Sequence, residues 1–234
     1  MACKIYTENT VILDIEGTTT PIDFVHVTLF KYARDNLTEF LLKNNKGNAL
    51  EQILLEIVEY SKITERREPI SDEQIVACIE NLIEKDSKLG ALKKLEGLIW
   101  QEGYESGKLK SEIYDDVPES LKGWKKSGKK IYIYSSGSVL AQKLLFRYSI
   151  FGDLTGYIDG YFDTEIGSKK EIESYRNISR NLEVLPERIT FITDSEEEMK
   201  SARNAGINSF LIKRDYNESD DKQVDFIVDF KSLC

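Results

Sequence analysis

Two acidic residues, Asp14 and Glu16, directly follow an apolar run at residues 11–13, and a turn-forming Gly-Thr-Thr-Thr segment begins at Gly17. This pattern predicts a buried strand that ends in a loop, and an open α/β sheet binds its ligands beyond the carboxyl ends of its strands. Two carboxylates in such a place call for a cation, and Mg2+ with its oxygen ligands also suits a phosphorylated substrate. The plainer alternative is that Asp14 only caps the next helix or begins a turn.

A second acidic segment has the same position relative to a strand. The run at 189–193 is strand-like, and it ends in Asp194, with more acidic residues up to Glu198. We expect Asp194 to complete a metal site with Asp14, and Glu198 to support that site from behind. The alternative is that these acids form the solvated first turn of a helix.

Two further segments carry groups that bind phosphate. Ser135 and Ser136 follow a strand-like run at 131–134, where hydroxyl and main-chain N–H groups can receive an anion, although serine is also an ordinary helix cap. Lys169 precedes a predicted helix, where a cation opposes the helix dipole unless an anion accompanies it. Lys170 is the rival for this role, since adjacent exposed lysines are often plain surface charge.

The composition restricts the class of protein. The 234 residues carry a net charge of −9 with a pI near 4.9, and 41% of them are hydrophobic, enough for one large domain or two modest ones. Such an acidic chain has no broad basic surface with which a general nucleic-acid binder displaces counterions. An anionic substrate must therefore meet a local cationic group.

The cysteines and the single histidine indicate no further chemistry. Cys3, Cys78 and Cys234 are far apart, odd in number and form no CxxC pair, which argues against a disulfide framework or a zinc site. His26 lies in a helical segment without a partner motif, so we assign it no role. With neither a leader nor an apolar run of the roughly 20 residues that span a membrane, we expect a cytoplasmic protein, also nuclear if the source is eukaryotic.

The elements that position these groups form two blocks. Residues 21–117 show four helical patterns and no strand, whereas the rest alternates strand-like and helical segments. We therefore expect an α/β catalytic core from 1–20 and 118–234, with a mostly parallel sheet, and a helical cap inserted after the first strand. Further strands are predicted at 157–160, 209–212 and 226–228, and a surface loop at 217–221.

Four segments together resemble the haloacid dehalogenase superfamily and, within it, the enolase-phosphatases. The segments are DIEGTTTPIDFV at 14–25, IYIYSSGSVLAQKLLF at 131–146, DTEIGSKKEIESYRNI at 163–178 and FITDSEEE at 191–198. The resemblance covers the core on both sides of the insertion and implies a Rossmann-like haloacid dehalogenase core. Glu16 departs from the superfamily, which has an aspartate at this position, in the manner of the narrower family.

The resemblance also implies roles for the site residues. Asp14 would be the nucleophile, Asp14 and Asp194 would bind Mg2+ with Glu16 contributing through its carbonyl, and Ser135, Ser136 and Lys169 would bind substrate. Glu16 would also take part in catalysis. The implied reaction is the magnesium-dependent enolisation and dephosphorylation of 2,3-diketo-5-methylthiopentyl 1-phosphate to the acireductone 1,2-dihydroxy-3-keto-5-methylthiopentene in methionine salvage, a step of methionine biosynthesis.

Three other interpretations stay open at this point. The chain could be another phosphatase of the same fold, a dehalogenase that acts at carbon, or a signalling module that accepts a phosphoryl group without turnover. The helical insertion and Lys169 favour an enclosed small substrate. We accordingly expect a monomer whose partner is a small phosphorylated diketone, with no nucleic acid and no membrane.

Overall fold

The computed structural model describes residues 9–44, 48–61, 71–85, 87, 89–216 and 226–233. The chain divides into two compact units, one of Met1–Phe24 with Lys110–Cys234 and one of Val25–Leu109. We call them the sheet unit and the inserted unit. The inserted unit is shorter than the predicted insertion at residues 21–117. Its role as a cap stays a prediction.

In the part of the chain that the structure describes, the sheet unit is built on six parallel strands, which confirms the predicted α/β class. The strands are β1 Thr10–Leu13, β2 Lys130–Tyr134, β3 Gly160–Phe162, β4 Ile189–Thr193, β5 Asn208–Ile212 and β6 Phe226–Ile227. Their order is β3-β2-β1-β4-β5-β6, so β1 lies between β2 and β4. Both β1 and β4 are buried along their whole length, as central parallel strands covered on both faces are. Because these strands are parallel, their carboxyl ends share one edge of the sheet.

The third strand is where the prediction was wrong. It was predicted at 157–160, whereas Thr155–Tyr157 forms a single 3-10 turn and β3 begins later. The amide of Asp159 donates to the carbonyl of Ile131 at 2.7 Å, and the chain becomes extended beside β2 only from this contact onward. The predicted loop at 217–221 lies outside the described residues.

Among the described residues of the sheet unit, four α-helices join and cover the strands. They are α5 Val117–Lys126, α6 Val139–Arg147, α7 Ile172–Leu182 and α8 Glu196–Asn204. Tyr175 of α7 is completely buried, with its ring 5.8 Å from that of Tyr134 on β2 and 5.3 Å from that of Phe191 on β4. These aromatic contacts form part of a core cluster that also includes Ala202 of α8. Large buried rings of this kind contribute strongly to packing, and here they fix α7 against the centre of the sheet.

The described residues of the inserted unit form helices and the turns between them, with no strand. A π-helical segment at Phe24–Leu29 leads into α1 Phe30–Asn44, which is followed by α2 Asn48–Tyr60, α3 Asp72–Glu84 and α4 Gly90–Glu105. Ser71 caps α3, and it forms a reciprocal capping box with Gln74. Trp100 is buried and donates from Nε1 to the carbonyl of Leu29 at 2.8 Å. This unit thus has a core of its own.

Within the described residues, no helix combines the length and apolar character that crossing a bilayer requires.

Candidate active site

Asp14 is placed by the two neighbours of β1. The register pairs Leu13 with Ile133 of β2 and with Ile192 of β4, so Asp14 is the first residue beyond the strand at the centre of the sheet. Its amide donates to the carbonyl of Ile192 at 3.0 Å, and its side chain is buried. A carboxylate in this position needs partners, because burying an unpaired charge is costly.

Those partners are cationic and main-chain groups. Lys169 Nζ lies 2.5 Å from Asp14 Oδ1 and 2.8 Å from Glu198 Oε2, and the Ile15 amide donates to Asp14 Oδ1 at 2.7 Å. Burial alone would lower the pKa of Lys169, but the carboxylates of Asp14 and Glu198 raise it above its usual value. The lysine is therefore held charged in a site from which water is largely excluded.

Glu198 was predicted to support the metal site of Asp14 and Asp194, and this role stays a prediction. Its carboxylate accepts hydrogen bonds from Lys169 and from Thr193 Oγ1, the latter at 2.8 Å. The same hydroxyl lies 3.1 Å from Asp14 Oδ2, and since it has one hydrogen it can donate to only one carboxylate at a time. Burial raises the pKa of Glu198 most, and the negative charge of Asp14 adds to the rise. The hydrogen bonds from Lys169 and Thr193 oppose this rise without cancelling it. Thr193 was not identified from the sequence, although it is the last residue of a strand ending at this edge.

Asp194 lies close to the turn that follows Asp14. Burial and the charge of Asp14 raise the pKa of Asp194 to about 7, and Glu16 adds to the rise. The close approach requires glycine at position 17, because a Cβ there would lie 2.2 Å from Asp194 Oδ2, and Gly17 has a φ of +66°. The structure thus brings together three of the predicted acids, namely Asp14, Glu16 and Asp194.

The main chain after Asp14 forms a tight, buried turn, which we call the nucleophile loop, residues 15–20. The amides of Thr18, Thr19 and Thr20 all donate to the carbonyl of Ile15, at 2.9 to 3.2 Å. Thr19 Oγ1 also contacts the carbonyl of Asp14 at 3.1 Å. Glu16 is half-buried within this loop, and its main chain forms an isolated β-bridge with that of Thr20.

Ser135 and Ser136 lie at the carboxyl end of β2, next to β1. Ser135 is buried, its amide donates to the carbonyl of Phe162 at 3.2 Å, and its hydroxyl accepts from the Gly137 amide at 3.1 Å. Gln142 of α6 donates from Nε2 to the carbonyls of Gly137 and Phe162, at 2.8 and 2.9 Å. The Gln142 amide thus fixes the loop at residues 135–137 against β3. The sequence patterns did not identify Gln142.

The two adjacent lysines have different surroundings. Lys169 is buried beside Asp14, whereas Lys170 is exposed and pairs with the exposed Glu197 at 2.8 Å. Lys169 lies two residues before the N-cap of α7, which is Glu171. The anionic groups that accompany its charge in this structure are the carboxylates of Asp14 and Glu198.

Two tyrosines hold the main chain at this lysine and two residues before it. Tyr134 donates from its hydroxyl to the carbonyl of Gly167 at 2.9 Å, and Tyr175 donates to the carbonyl of Lys169 at 2.7 Å. Both rings belong to the core described above, so the Lys169 side chain is directed from a rigid support.

The donor set suits a hard divalent cation. Asp14 is buried and Asp194 is half-buried, and burial together with the charge of Asp14 raises the pKa of Asp194, so a cation beside the two carboxylates would help to keep both ionised. Oxygen donors of this kind are those that Mg2+ prefers. Among the described residues, no group of three or more His, Cys, Asp or Glu side chains is arranged to hold a metal ion. Main-chain, solvent or substrate oxygens would have to complete such a site.

Comparison with known proteins decides the family. The model for haloacid dehalogenase-like hydrolases matches residues 8–206. Enolase-phosphatase E1 of Drosophila willistoni is 43% identical over 235 residues, covering 95% of this chain and 95% of that protein. The chain belongs to the enolase-phosphatase E1 family of haloacid dehalogenase-like hydrolases.

Other enolase-phosphatase E1 relatives agree. The protein from Anopheles gambiae is 40% identical over 242 residues, covering 97% of this chain and 82% of that protein. Among solved structures, the UTR4 protein of Saccharomyces cerevisiae superimposes with a TM-score of 0.79 and 35% identity, covering 94% of this chain and 96% of that one. The resemblance of the four segments to haloacid dehalogenases and enolase-phosphatases is thereby confirmed, and the chain is an enzyme of the hydrolase class.

Proposed function

We propose that this chain is a magnesium-dependent enolase-phosphatase of methionine salvage. It converts 2,3-diketo-5-methylthiopentyl 1-phosphate into the acireductone 1,2-dihydroxy-3-keto-5-methylthiopentene and phosphate. The observation that carries the proposal is the buried contact of Asp14 with Lys169 at the centre of the sheet edge, in a chain 43% identical to an enolase-phosphatase E1. The enzyme acts in the cytoplasm as a monomer.

The chemistry of the phosphate step follows from the surroundings of Asp14. A carboxylate oxygen of Asp14 attacks phosphorus, the bond from phosphorus to the substrate oxygen breaks, and the enolate oxygen leaves with its electron pair. Water then attacks the aspartyl phosphate, which releases phosphate and regenerates the carboxylate. The hydrogen bonds from the Ile15 amide and Lys169 orient Asp14 for attack, and they require no rearrangement when the substrate arrives.

Lys169, Ser135 and Ser136 bind the phosphoryl group in this proposal. The ammonium of Lys169 offsets negative charge in a site where water screens little, so its effect on the developing charge is large. The two serines contribute hydroxyl and main-chain donors from the neighbouring strand end.

Asp14 and Asp194, with the carbonyl of Glu16, are the groups that would hold Mg2+. When bound, this ion supplies positive charge that neutralises phosphate oxygens and favours attack at phosphorus. The Glu16 carboxylate, half-buried in the nucleophile loop, serves proton transfer at the leaving oxygen of the substrate.

The test is phosphate release from a panel of phosphorylated metabolites that includes the diketone phosphate, with and without Mg2+. We expect magnesium-dependent turnover of the diketone phosphate by the wild-type chain and none by Asp14→Asn, because an amide cannot attack phosphorus. Asp163→Asn is the matched control, since Asp163 also follows a strand, β3, at the same edge of the sheet. Turnover by Asp14→Asn at the wild-type rate would contradict the assignment of Asp14 as the nucleophile. Preference of the wild-type chain for another metabolite would contradict the proposed substrate.

A further inference from the structure

Arg214, two residues beyond β5, reaches back to the nucleophile loop. Its Nε and Nη2 donate to the carbonyl of Thr18 at 3.0 and 2.6 Å. Its Nη1 lies 2.8 and 2.9 Å from the two carboxylate oxygens of Asp116. All of its donor nitrogens therefore have a partner, and one of these partners belongs to the loop that follows Asp14.

The surroundings of Arg214 make this contact rigid. Its side chain is 6% exposed, and its guanidinium lies 4.3 Å from the ring centre of Tyr114 and 4.8 Å from that of Phe230. Asp116 is also fixed, because one of its oxygens accepts from the Phe230 amide at 2.7 Å. The guanidinium is planar and buried, lies against two aromatic rings and is hydrogen-bonded to both oxygens of a carboxylate. It therefore has little freedom to move.

The carbonyl that Arg214 binds requires such a partner. Thr18 is completely buried, and an unpaired buried carbonyl costs as much as a lost hydrogen bond. The next carbonyl, that of Thr19, accepts from the Tyr114 amide at 3.1 Å, so a residue stacked against Arg214 also holds the loop.

The loop in turn fixes the Asp14 carboxylate. The amides of Thr18 and Thr19 close the turn onto the Ile15 carbonyl. The Ile15 amide then donates to Asp14 Oδ1, and Thr19 Oγ1 contacts the Asp14 carbonyl. A displacement of the turn therefore reaches Asp14 through two hydrogen bonds.

We propose that Arg214 is a positioning residue that locks the nucleophile loop and thereby sets the orientation of the Asp14 carboxylate. Its effect on turnover rests on the proposed function, whereas its effect on the loop does not. The sequence patterns did not identify it, because Arg214 and Thr18 are 196 residues apart in the chain.

The first test measures amide hydrogen exchange in the full chain of Arg214→Ala. We expect the amides of residues 17–20 to exchange about tenfold faster or more than in the wild type, because the carbonyl contact that closes the loop is lost. Arg203→Ala is the matched control, since Arg203 makes the same kind of double contact, from Nε and Nη2 to the carbonyl of Ser209 on β5. If Arg214→Ala retains the wild-type exchange rates in the loop, the proposal is overturned.

The second test compares kcat and KM for phosphate release from p-nitrophenyl phosphate with Mg2+. We expect Arg214→Ala to lower kcat about 10²-fold, as displaced reacting groups do, with little change in KM. Millimolar guanidinium should restore part of this loss, and it should not raise the activity of Arg203→Ala. A purely structural role would instead give a loss of kcat that guanidinium deepens, and this result would overturn the proposal.

Arg214→Lys is the milder variant if Arg214→Ala fails to accumulate. Lysine keeps the charge but cannot bind Thr18 and Asp116 with a planar fork, so the same faster loop exchange is expected. Failure of the wild-type chain to release phosphate from any substrate would contradict the proposed function, and the exchange measurement would still decide the role of Arg214.

Discussion

Lys169 places an ammonium between the carboxylates of Asp14 and Glu198 in a largely dry site. Removing three charged groups from water is costly, and such a cluster adds little net stability even when its geometry is good. Its use is better explained by chemistry, because the positive charge is already in place where a phosphoryl group must be held beside the attacking carboxylate.

This position predicts a sharp difference between two adjacent lysines. We expect Lys169→Met to lower kcat/KM for phosphate release about 10²- to 10³-fold, since one preorganised charge is lost. Lys170→Met is the matched control and should leave both turnover and stability close to those of the wild type, because its pair with Glu197 is exposed. Steady-state kinetics and urea unfolding of both variants provide the measurement. If Lys169→Met keeps its turnover and Lys170→Met loses it, Lys170 is the lysine that binds the phosphoryl group.

The site residues divide into those that a sequence reveals and those that it does not. Asp14, Ser135 and Asp194 could be predicted because each follows an apolar strand, and parallel strands bring their ends together. The contact of Lys169 with Asp14 joins residues 155 apart, so no local pattern contains it. Thr193 could have been found by the same strand-end reasoning, whereas a carbonyl contact such as that of Arg214 depends on the tertiary fold.

At the scale of elements, Asp159 explains where β3 begins. Its carboxylate accepts from the Ile131 amide at 2.8 Å and from Lys125 and Lys130 at 2.8 to 3.1 Å, and its own amide donates to the Ile131 carbonyl. The residue thus joins α5, β2 and the start of β3. A strand assigned from apolar residues alone was placed too early, because the charged Asp159 makes the first contact with β2.

Asp159 also predicts a pH dependence of stability. Burial alone would raise the pKa of Asp159, but the hydrogen bonds from Lys125, the Ile131 amide and Lys130 lower it below its usual value. A carboxyl group with a depressed pKa stabilises the fold above its unfolded pKa of about 3.9. This contribution is lost as the pH falls through the lower folded pKa. We therefore expect Asp159→Asn to destabilise the protein by about 1–2 kcal/mol at neutral pH and by much less near pH 3.

Urea unfolding at several pH values measures this difference. Glu112→Gln is the control, because Glu112 is an exposed carboxylate of the same unit. A difference between wild type and Asp159→Asn that stays constant from neutral pH to about pH 3 would show that the charge of Asp159 does not contribute.

At the scale of the whole molecule, the periodicity of apolar residues was enough to separate a helical segment from an α/β one. The reason is physical, since helices of a small unit need one apolar stripe and central parallel strands need apolar residues on both faces. The limits of the two units were less predictable. The segment from 110 to 116 belongs with the sheet unit, where the Tyr114 amide donates to the Thr19 carbonyl and Asp116 pairs with Arg214.

Two separate cores predict two unfolding transitions, and the chain has two tryptophans, one in each unit. Trp100 is buried in α4 of the inserted unit, and Trp124 is buried in α5 of the sheet unit, with its ring 5.4 Å from that of Phe230. Trp124→Phe therefore leaves a reporter for the inserted unit, and Trp100→Phe leaves one for the sheet unit. Each substitution disturbs only the unit that is not being observed.

We expect the Trp100 fluorescence transition in urea to have the lower midpoint and the smaller slope. The inserted unit is the smaller of the two, so it buries a smaller fraction of its surface, and the slope of a urea transition scales with the surface exposed on unfolding. Far-UV circular dichroism of each variant serves as the control, because helices occur in both units and the signal should follow both transitions. Superimposable fluorescence curves with equal slopes in the two variants would show instead that the units unfold as one cooperative body.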